Sequence, residues 1–129
     1  MFRIASFVVI ANQKNQVLLC HRRDRDLWNL PGGGANFLEL PKACAKREVK
    51  EEISFSIAIE RLCGVYFKPK NLEIVFCYEG KINGGQFVIS DEADQIEYFD
   101  PLALPSNIAP NHTQRIWDTM SKNFLIRFQ

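Results

Sequence analysis

The chain has no long run of apolar residues. Its most apolar stretch, Ile4–Ala11, is interrupted by Ser6 and is far shorter than the roughly 20 residues that a membrane-spanning helix needs. It also lacks the layout of a signal peptide. We therefore expect this stretch to form a first β-strand, and we expect no membrane partner.

Neither sign of charge dominates the composition. Sixteen Lys and Arg residues stand against 15 Asp and Glu residues, for a formal net charge of +1. Proteins that bind nucleic acids or membrane surfaces without specificity depend on an electrostatic field of one sign. The composition therefore predicts no stable nucleic-acid partner.

Histidine is scarce, and cysteine occurs without a recognised motif. The two histidines, His21 and His112, show no metal-binding spacing, and His112 is expected at the surface just before the last helix. No pair of cysteines has C-x2-C spacing, and each lies in an otherwise apolar stretch; the four are Cys20, Cys44, Cys63 and Cys77. This pattern indicates small core thiols in a reducing cytoplasm rather than a disulfide framework or a zinc site.

Length and composition indicate one globular domain over residues 1–129. Apolar residues make up 47% of the chain and charged residues 24%, which is ordinary for a soluble protein. We see no repeat, linker or low-complexity tract. A chain of this size can bury about two-thirds of its unfolded surface in a single core.

Hydrophobic periodicity predicts a sequence of strands interrupted by one helix and closed by another. The expected strands are Ile4–Ala11, Gln16–His21, Phe55–Phe67, Leu72–Ile82, Gln86–Ile89 and Ile96–Phe99, and the expected helices are Pro41–Ile53 and Thr113–Phe124. We expect the first two strands to form a hairpin, and a hairpin-type turn at Asn83-Gly84-Gly85. This order indicates an α/β fold with a mixed sheet between helices.

The predicted first helix concentrates acidic residues on one face. At about 100° per residue, Glu48, Glu51 and Glu52 fall within an arc of roughly 100°. Like charges at this spacing destabilise a helix by a few tenths of a kcal/mol each. A bound cation removes that repulsion, and carboxylate oxygens suit Mg²⁺ or Mn²⁺, which in turn suit phosphate oxygens. A solvated helix face would show the same E-V-K-E-E string, so the wider pattern must decide.

That wider pattern runs from Gly33 to Phe55 and reads G-x5-E-x7-R-E-V-K-E-E-I-S-F. Its specified positions are Gly33, Glu39, Arg47, Glu48, Glu51 and Glu52. A chance match at one register is on the order of one in ten million, given average residue frequencies. The segment resembles the Nudix box, G-x5-E-x7-R-E-U-x-E-E-x-G-U, in which U is a bulky apolar residue. The preceding segment, W-N-L-P-G-G from Trp28, resembles the W-x-L-P-G-G that is common upstream of the box.

Two positions depart from the family pattern. Ser54 stands where the box has a glycine, and Leu38 replaces the glycine that often precedes the first glutamate. The box glycine would end the helix in a left-handed conformation, which serine adopts at about 1 kcal/mol. Both departures concern the backbone, and neither removes an expected metal ligand.

The resemblance implies a Nudix-type α/β/α sandwich over the whole chain and a pyrophosphohydrolase. It implies that Mg²⁺ or Mn²⁺ is held by Glu48, Glu51 and Glu52, with a backbone carbonyl of Gly32 or Gly33. The substrate would be a small nucleotide, namely a nucleoside diphosphate linked to another moiety such as ADP-ribose, a nucleotide sugar or a modified nucleoside triphosphate. Family habit also suggests a homodimer.

The remaining site residues are expected to support this chemistry. Arg47 can reach Glu39 in the preceding loop, and its planar fork would hold the ligating glutamates in place. The general base is expected to be Glu92 and next Asp94, since S-D-E-A-D before I-E-Y-F resembles a family pattern that carries such a residue; an acidic surface turn is the alternative. Glu48 or Glu52 would also serve as the base while facing the metal.

Substrate contacts are predicted from weaker signals. Arg22, Arg23 and Arg25 are candidates for a terminal phosphate, although a solvated charge run has the same appearance. Aromatic residues that would contact a base are strand residues that more often belong to a core. The candidates are Trp28, Tyr66 and Phe67, with Phe76 and Tyr78.

Three other functions share this fold. A non-catalytic nucleotide sensor usually loses box carboxylates, whereas all four glutamates are present here. A prenyl-diphosphate isomerase needs a catalytic cysteine, and no cysteine here has a recognisable context for one. Removal of 5′ pyrophosphate from RNA would favour a more basic surface.

Overall fold

The computed structural model describes residues 1–129. It contains eight strands, two α-helices and a short 3₁₀ helix at Pro69–Asn71. The strands are β1 (Arg3–Ile10), β2 (Val17–Arg22), β3 (Trp28–Asn29), β4 (Gly32–Gly34), β5 (Phe55–Lys68), β6 (Glu73–Gly85), β7 (Ala93–Phe99) and β8 (Leu125–Phe128). The helices are α1 (Pro41–Ile53) and α2 (His112–Met120).

The strands form two sheets. A mixed sheet has the order β4-β1-β6-β5-β8, in which β1–β6 and β5–β8 are parallel pairs. A smaller antiparallel sheet has the order β3-β2-β7. The chain crosses between the sheets around Leu30 and Pro31, so β3 and β4 place the glycine segment next to both sheets.

The helices cover opposite faces of the mixed sheet. Adjacent strand residues point to opposite faces, and Val8 of β1 packs in a core cluster with Val49 of α1. Val9 of the same strand packs in a second cluster with Ile116 of α2. The predicted α/β/α sandwich is therefore confirmed.

Helix α1 has the bounds that the sequence predicts. Pro41 occupies its first turn, where the missing N–H has no helical partner to lose. Ala45, Val49 and Ile53 are fully buried against the sheet, as expected from their spacing. The helix ends at Ser54, which adopts a left-handed conformation and donates its backbone N–H to the carbonyl of Lys50.

At both positions where the family has glycine and this chain does not, the backbone still adopts the left-handed conformation that glycine favours. Leu38 has φ 62° and Ser54 has φ 64°. A side chain in this region costs about 1–2 kcal/mol, while glycine loses about 0.5–1 kcal/mol through the greater freedom of the unfolded chain. We expect Leu38→Gly and Ser54→Gly each to raise the free energy of unfolding by about 0.5–1 kcal/mol.

Urea denaturation measures this gain directly. Ser54→Ala is the matched control, because it removes the hydroxyl but keeps the Cβ atom in the left-handed region. It should bring no gain. Glycine variants that are no more stable than the parent protein would contradict the backbone argument.

Four predictions about the strands, a turn and the last helix are wrong. The segments predicted as a hairpin, β1 and β2, lie in different sheets and share a single bridge, between Ala11 and Val17. No turn forms at Asn83-Gly84-Gly85, since β6 continues to Gly85, and Gln86–Ile89 is not a strand. Helix α2 ends at Met120 instead of Phe124, and the chain continues into β8 beside β5.

The four cysteines are free and buried, as expected for core thiols. No helix combines the length and apolar character needed to cross a membrane.

Candidate active site

The glycine segment brings the strands within close reach of α1. Gly32 has φ 147°, and a Cβ atom there would lie 2.2 Å from the carbonyl oxygen of Ser6. A Cβ atom on Gly33 would lie 2.7 Å from the carboxyl group of Glu48. Glycine is therefore required at Gly32, where a side chain would meet the backbone of β1, and the carboxyl group of Glu48 lies directly against the Gly33 backbone.

Three carboxylates converge at this point. Glu48 and Glu52 are one helical turn apart on α1, and Glu92 comes from the segment that leads into β7. One oxygen from each side chain lies within 4.8 Å of the others. Glu52 is the most buried of the three, with 6% of its surface exposed.

Burial keeps part of this cluster protonated when no cation is bound. Burial, with a smaller contribution from the neighbouring charge of Glu92, raises the pKa of Glu52 to about 8. Burial also raises the pKa of Glu48, although its contact with Arg47 acts in the opposite direction. The thiol of Cys20 donates a hydrogen bond to Glu52 Oε1 over 3.0 Å.

This donor set fits a hard divalent cation. Of the three carboxylates, Glu48 contacts Arg47, and Glu52 and Glu92 form no salt bridge. The cluster thus places three carboxylates in a partly buried region, and Arg47 is paired with only one of them, so further positive charge is needed to balance the other two. Mg²⁺ or Mn²⁺ would supply that charge through oxygen ligands of the kind present here.

Arg47 joins the loop, the helix and the glycine segment. Its guanidinium donates to both oxygens of Glu39, at 2.7 and 2.8 Å, and to the carbonyl of Gly34 at 2.9 Å. It also donates to Glu48 at 3.1 Å and to Glu51 at 2.9 Å. The guanidinium lowers the pKa of Glu39 to about 2. The geometry matches the predicted reach of Arg47 to Glu39.

Glu51 lies outside the three-carboxylate cluster. Its side chain is 56% exposed and contacts the outer side of Arg47. The sequence places Glu51 on the same helix face as Glu48 and Glu52, but the structure brings Glu92 to those two residues instead.

The segment that carries Glu92 is tied to the end of α1 by Ser90. The Ser90 hydroxyl donates to the carbonyl of Glu52 at 2.8 Å and accepts the backbone N–H groups of Glu92 and Ala93. Asp94, the second candidate for the base, accepts from the ring of His21 at 2.9 Å. Sequence reasoning placed Ser90 in the acidic segment but did not identify this role.

A cavity of about 450 Å³ opens beside the carboxylates. Its lining combines charged residues with a smaller apolar part: Phe7, Cys20, Arg22, Asp24, Asn29, Gly32, Glu52, Asp91, Glu92, Ala109 and His112. Cys20 and Asn29 are lining residues that sequence reasoning missed, since a lone thiol and a lone amide carry no motif signal.

The predicted phosphate contacts are only partly in reach of this cavity. Arg22 lines it and is paired with Asp24. Arg23 donates to the carbonyl of Ser90, and Arg25 is exposed outside the lining.

The predicted aromatic contacts lie elsewhere. Tyr66 is fully buried and donates to Asp118, so the proposal that it stacks on a base is wrong. Phe67 stacks on Phe128 outside the cavity, and Trp28 packs between His21 and Phe99.

His112 is buried, with 7% of its surface exposed, and the prediction of a surface position is wrong. Its ring Nδ1 accepts the backbone N–H of Leu30 at 3.0 Å. The first turn of α2 is therefore anchored to the segment between β3 and β4.

Known proteins are similar to this chain in sequence and in fold. Residues 1–119 match the NUDIX domain. A Bacillus subtilis (strain 168) protein named "Putative 8-oxo-dGTP diphosphatase" is 34% identical over 119 residues, which cover 92% of this chain and 80% of the relative. A Methanocaldococcus jannaschii protein named ADP-ribose pyrophosphatase is 31% identical over 120 residues, covering 86% and 69%.

Solved structures support the same assignment at the level of the fold. The crystal structure of an ADP-ribose pyrophosphatase from Streptococcus suis 89-1591 has a TM-score of 0.80 at 22% identity and covers 100% of both chains. The carboxylate cluster beside Gly33, the contacts of Arg47 and the match to the NUDIX domain all indicate the same family. The chain belongs to the Nudix family of pyrophosphohydrolases.

Proposed function

We propose that this protein hydrolyses the pyrophosphate bond of a nucleoside diphosphate that is linked to another moiety. The observation that carries the proposal is the cluster of Glu48, Glu52 and Glu92 beside a cavity large enough for a small nucleotide. Nucleotide hydrolysis by water is slow because the phosphate oxygens repel an approaching nucleophile. Cations held by the carboxylate cluster would reduce this repulsion.

The proposed cation ligands are Glu48, Glu52 and Glu92, with a backbone carbonyl of Gly32 or Gly33. When bound there, Mg²⁺ or Mn²⁺ neutralises phosphate oxygens and lowers the pKa of a bound water. Glu51 is kept as a further proposed ligand, because its exposed side chain lies one turn from Glu48 on the same helix. Arg47 and Glu39 position the ligands and do not touch the substrate.

The proposed general base is Glu92. It is an exposed residue beside Glu52, so its carboxylate is accessible to a water molecule at the cavity. Asp94 is the weaker candidate because His21 already occupies one of its oxygens. In this scheme Glu92 accepts the proton of the attacking water, while Arg22 contacts a substrate phosphate from the other part of the lining.

A non-catalytic nucleotide sensor is the second candidate. It is favoured by the engagement of Arg22 with Asp24, which leaves the one cavity-lining cation partly neutralised. The complete carboxylate cluster favours the enzyme. Nucleotide binding without turnover in Mg²⁺ or Mn²⁺ would identify the sensor.

The substrate is the finer part of the proposal. The names of the relatives refer to 8-oxo-dGTP and to ADP-ribose, and nucleotide sugars form a third class. The four buried thiols suit a reducing compartment, so we place the reaction in the cytoplasm.

A phosphate-release screen tests the proposal. We expect turnover of at least one compound among ADP-ribose, nucleotide sugars, dinucleoside polyphosphates, coenzymes and oxidised nucleoside triphosphates. Turnover should require Mg²⁺ or Mn²⁺ and should stop on addition of a chelator. A uniformly negative screen with both metals would contradict the enzymatic function.

A further inference from the structure

His21 joins two carboxylates that belong to different segments. Its Nε2 lies 2.8 Å from Asp26 Oδ1 in the loop between β2 and β3, and its Nδ1 lies 2.9 Å from Asp94 Oδ1 in β7. An ionised carboxylate can only accept a hydrogen bond, so both ring nitrogens carry a proton and the ring is an imidazolium. The hydrogen bond to Asp26, followed by the bond to Asp94, raises the pKa of His21 above its ordinary value.

The surroundings of this His21 bridge hold it in place. The imidazole side chain is 19% exposed and packs edge-to-face on Trp28, with the ring centroids 5.0 Å apart. Asp26 is fixed in turn, because Asn107 donates to its Oδ1 at 3.0 Å. Surface ion pairs usually contribute little, since two flexible side chains must be ordered to form them. Here packing already orders the cation, so that cost is reduced.

The second carboxylate of the bridge, Asp94, occupies a β-bulge. In the β2–β7 ladder His21 pairs with Gln95 and Arg22 pairs with Ala93, so Asp94 is an extra residue of β7 without a partner in β2. A bulge bends its strand and redirects nearby side chains, and such bulges are common beside active sites. The one side-chain hydrogen bond of Asp94 is the bond with His21.

The bulge adjoins the segment that carries Glu92. Ala93 is buried, with 1% of its surface exposed, and Glu92 immediately before it reaches the carboxylate cluster. The backbone carbonyl of Glu92 accepts the N–H of Arg23 at 3.2 Å. The end of β2 therefore holds the chain on both sides of Ala93, through Arg23 on one side and through the His21 bridge on the other.

We propose that His21 is a positioning residue for the cation site. It holds the bulge at Asp94, and the bulge places Glu92 in the carboxylate cluster. When the bridge opens, the segment gains conformations, and only a fraction of the molecules presents all three carboxylates together. The apparent affinity for the cation falls by that fraction. This inference rests on the proposed function, because it takes Glu92 as a cation ligand.

Amide hydrogen exchange of the metal-free protein tests the bridge itself. The variant is His21→Gln, whose amide donates to one carboxylate, as a neutral imidazole does, but has no charge. The reporters are the N–H groups of Ser90, Glu92 and Ala93, which are hydrogen-bonded within the segment. Exchange at these amides should be about fivefold faster than in the parent protein. Unchanged exchange would overturn the proposal.

Lys68→Gln is the matched control for hydrogen exchange. It removes a different ion pair, Lys68–Glu73, at the far end of β5. Because the reporter amides open locally, this variant should leave their exchange unchanged. An equal acceleration in Lys68→Gln and His21→Gln would show a general loss of stability and overturn the assignment.

Calorimetric titration with Mg²⁺ at pH 6 and at pH 8.5 tests the role toward the cation. The charged groups that face the ring are Asp26 and Asp94, while Trp28 of β3 adds no charge. Since the pKa of His21 is raised, the bridge contributes fully at low pH and is lost as the pH rises through that pKa. Comparison at a single pH also cancels the titration of Glu52, which is present in both proteins.

His21→Gln should bind Mg²⁺ about fivefold more weakly than the parent protein at pH 6. At pH 8.5 the two proteins should agree within about twofold. A loss of affinity that is the same at both pH values would overturn the proposal, because packing alone does not depend on the protonation of His21.

Variants of the two carboxylates show which contact governs the site. Asp94→Asn keeps the shape of the side chain but removes its charge, so at pH 6 it should weaken Mg²⁺ binding about as much as His21→Gln. Asp26→Asn leaves the bond to the bulge and should stay within about twofold of the parent protein. The double variant of His21 and Asp94 should be no weaker than either single variant. Additive weakening would overturn the link between these two residues.

These measurements separate the inference from the proposed enzymatic function. Faster exchange and weaker Mg²⁺ binding in His21→Gln, with no hydrolysis in the substrate screen, would support the positioning role and contradict the enzyme. Hydrolysis by the parent protein, with unchanged exchange and Mg²⁺ affinity in His21→Gln, would do the reverse. Faster exchange without a loss of Mg²⁺ affinity would also overturn the positioning role, since the segment would then not govern the site.

Discussion

Replacing Glu52 by glutamine is expected to lower kcat by at least about 10–100-fold and, at the same time, to stabilise the metal-free protein at pH 8. The loss of activity follows from removal of the most buried carboxylate of the cluster. The gain in stability follows from removal of a charge that the fold desolvates. A side chain that is present only for packing would not link these two effects.

The pH dependence of the stability gain has a defined sign. The pKa of Glu52 is raised from 4.5 to about 8 in the folded protein, chiefly by burial. Between these two values the unfolded chain has released the proton and the folded chain retains it, so the free energy of unfolding falls as pH rises. Glutamine has no proton to release. The variant should therefore match the parent protein near pH 4.5 and exceed it by on the order of 4 kcal/mol at pH 8.

Thermal unfolding in the presence of a chelator, at pH 4.5 and at pH 8, measures this difference. Glu97→Gln is the matched control, because Glu97 is exposed on β7 away from the cluster. The control should change neither kcat nor the pH dependence. If the difference in stability between the Glu52→Gln variant and the parent protein is the same at pH 4.5 and at pH 8, the raised pKa of Glu52 is contradicted.

Replacing Arg47 by lysine is expected to weaken the affinity for the metal about 10–100-fold. It should also lower the free energy of unfolding by about 1–3 kcal/mol. The guanidinium contacts Glu39, Glu48 and Glu51 and the Gly34 carbonyl together. A single ammonium group cannot reproduce this set of contacts. Glu39 and Glu48, both largely shielded from solvent, are then left without their cation.

Metal titration and urea denaturation distinguish the two parts of this effect. Arg61→Lys is the matched control, since Arg61 pairs with Glu79 and with the Thr119 carbonyl away from the carboxylate cluster. It should lower stability without changing metal affinity. An Arg47→Lys variant that behaves like the control would show that Arg47 has no role in positioning the ligands.

The sequence predicted the local parts of the site well. The bounds of α1, its buried face and the reach of Arg47 to Glu39 all follow from spacing within one segment. Short-range geometry on a helix depends on 3.6 residues per turn and little else. The local geometry of the site within residues 28–55 could therefore be predicted from the sequence of that segment.

Long-range pairing was not predictable in the same way. The β1 and β2 segments have the pattern of a hairpin, but a parallel partner for β1 in β6 was available and the two segments separated into different sheets. Strand propensity does not specify the neighbour of a strand. The same limit explains why Glu92, which arrives from a distant segment, takes the place beside Glu48 that the helix pattern assigned to Glu51.

Aromatic residues were misplaced because their patterns are ambiguous. Tyr66 alternates with half-buried residues in β5, and the sequence does not show which sheet face α2 will cover. His112 was expected in solvent because it precedes a helix, and only the fold brings Leu30 to its ring.

Titration with Mn²⁺ at pH 8, compared among the parent protein and the Glu48→Gln, Glu52→Gln, Glu92→Gln and Glu97→Gln variants, tests the central claim most directly. We predict that the parent protein and Glu97→Gln bind the cation with equal affinity, and that each substitution in the cluster weakens binding by at least tenfold. Equal affinity in all five proteins would contradict the proposal that Glu48, Glu52 and Glu92 hold the metal.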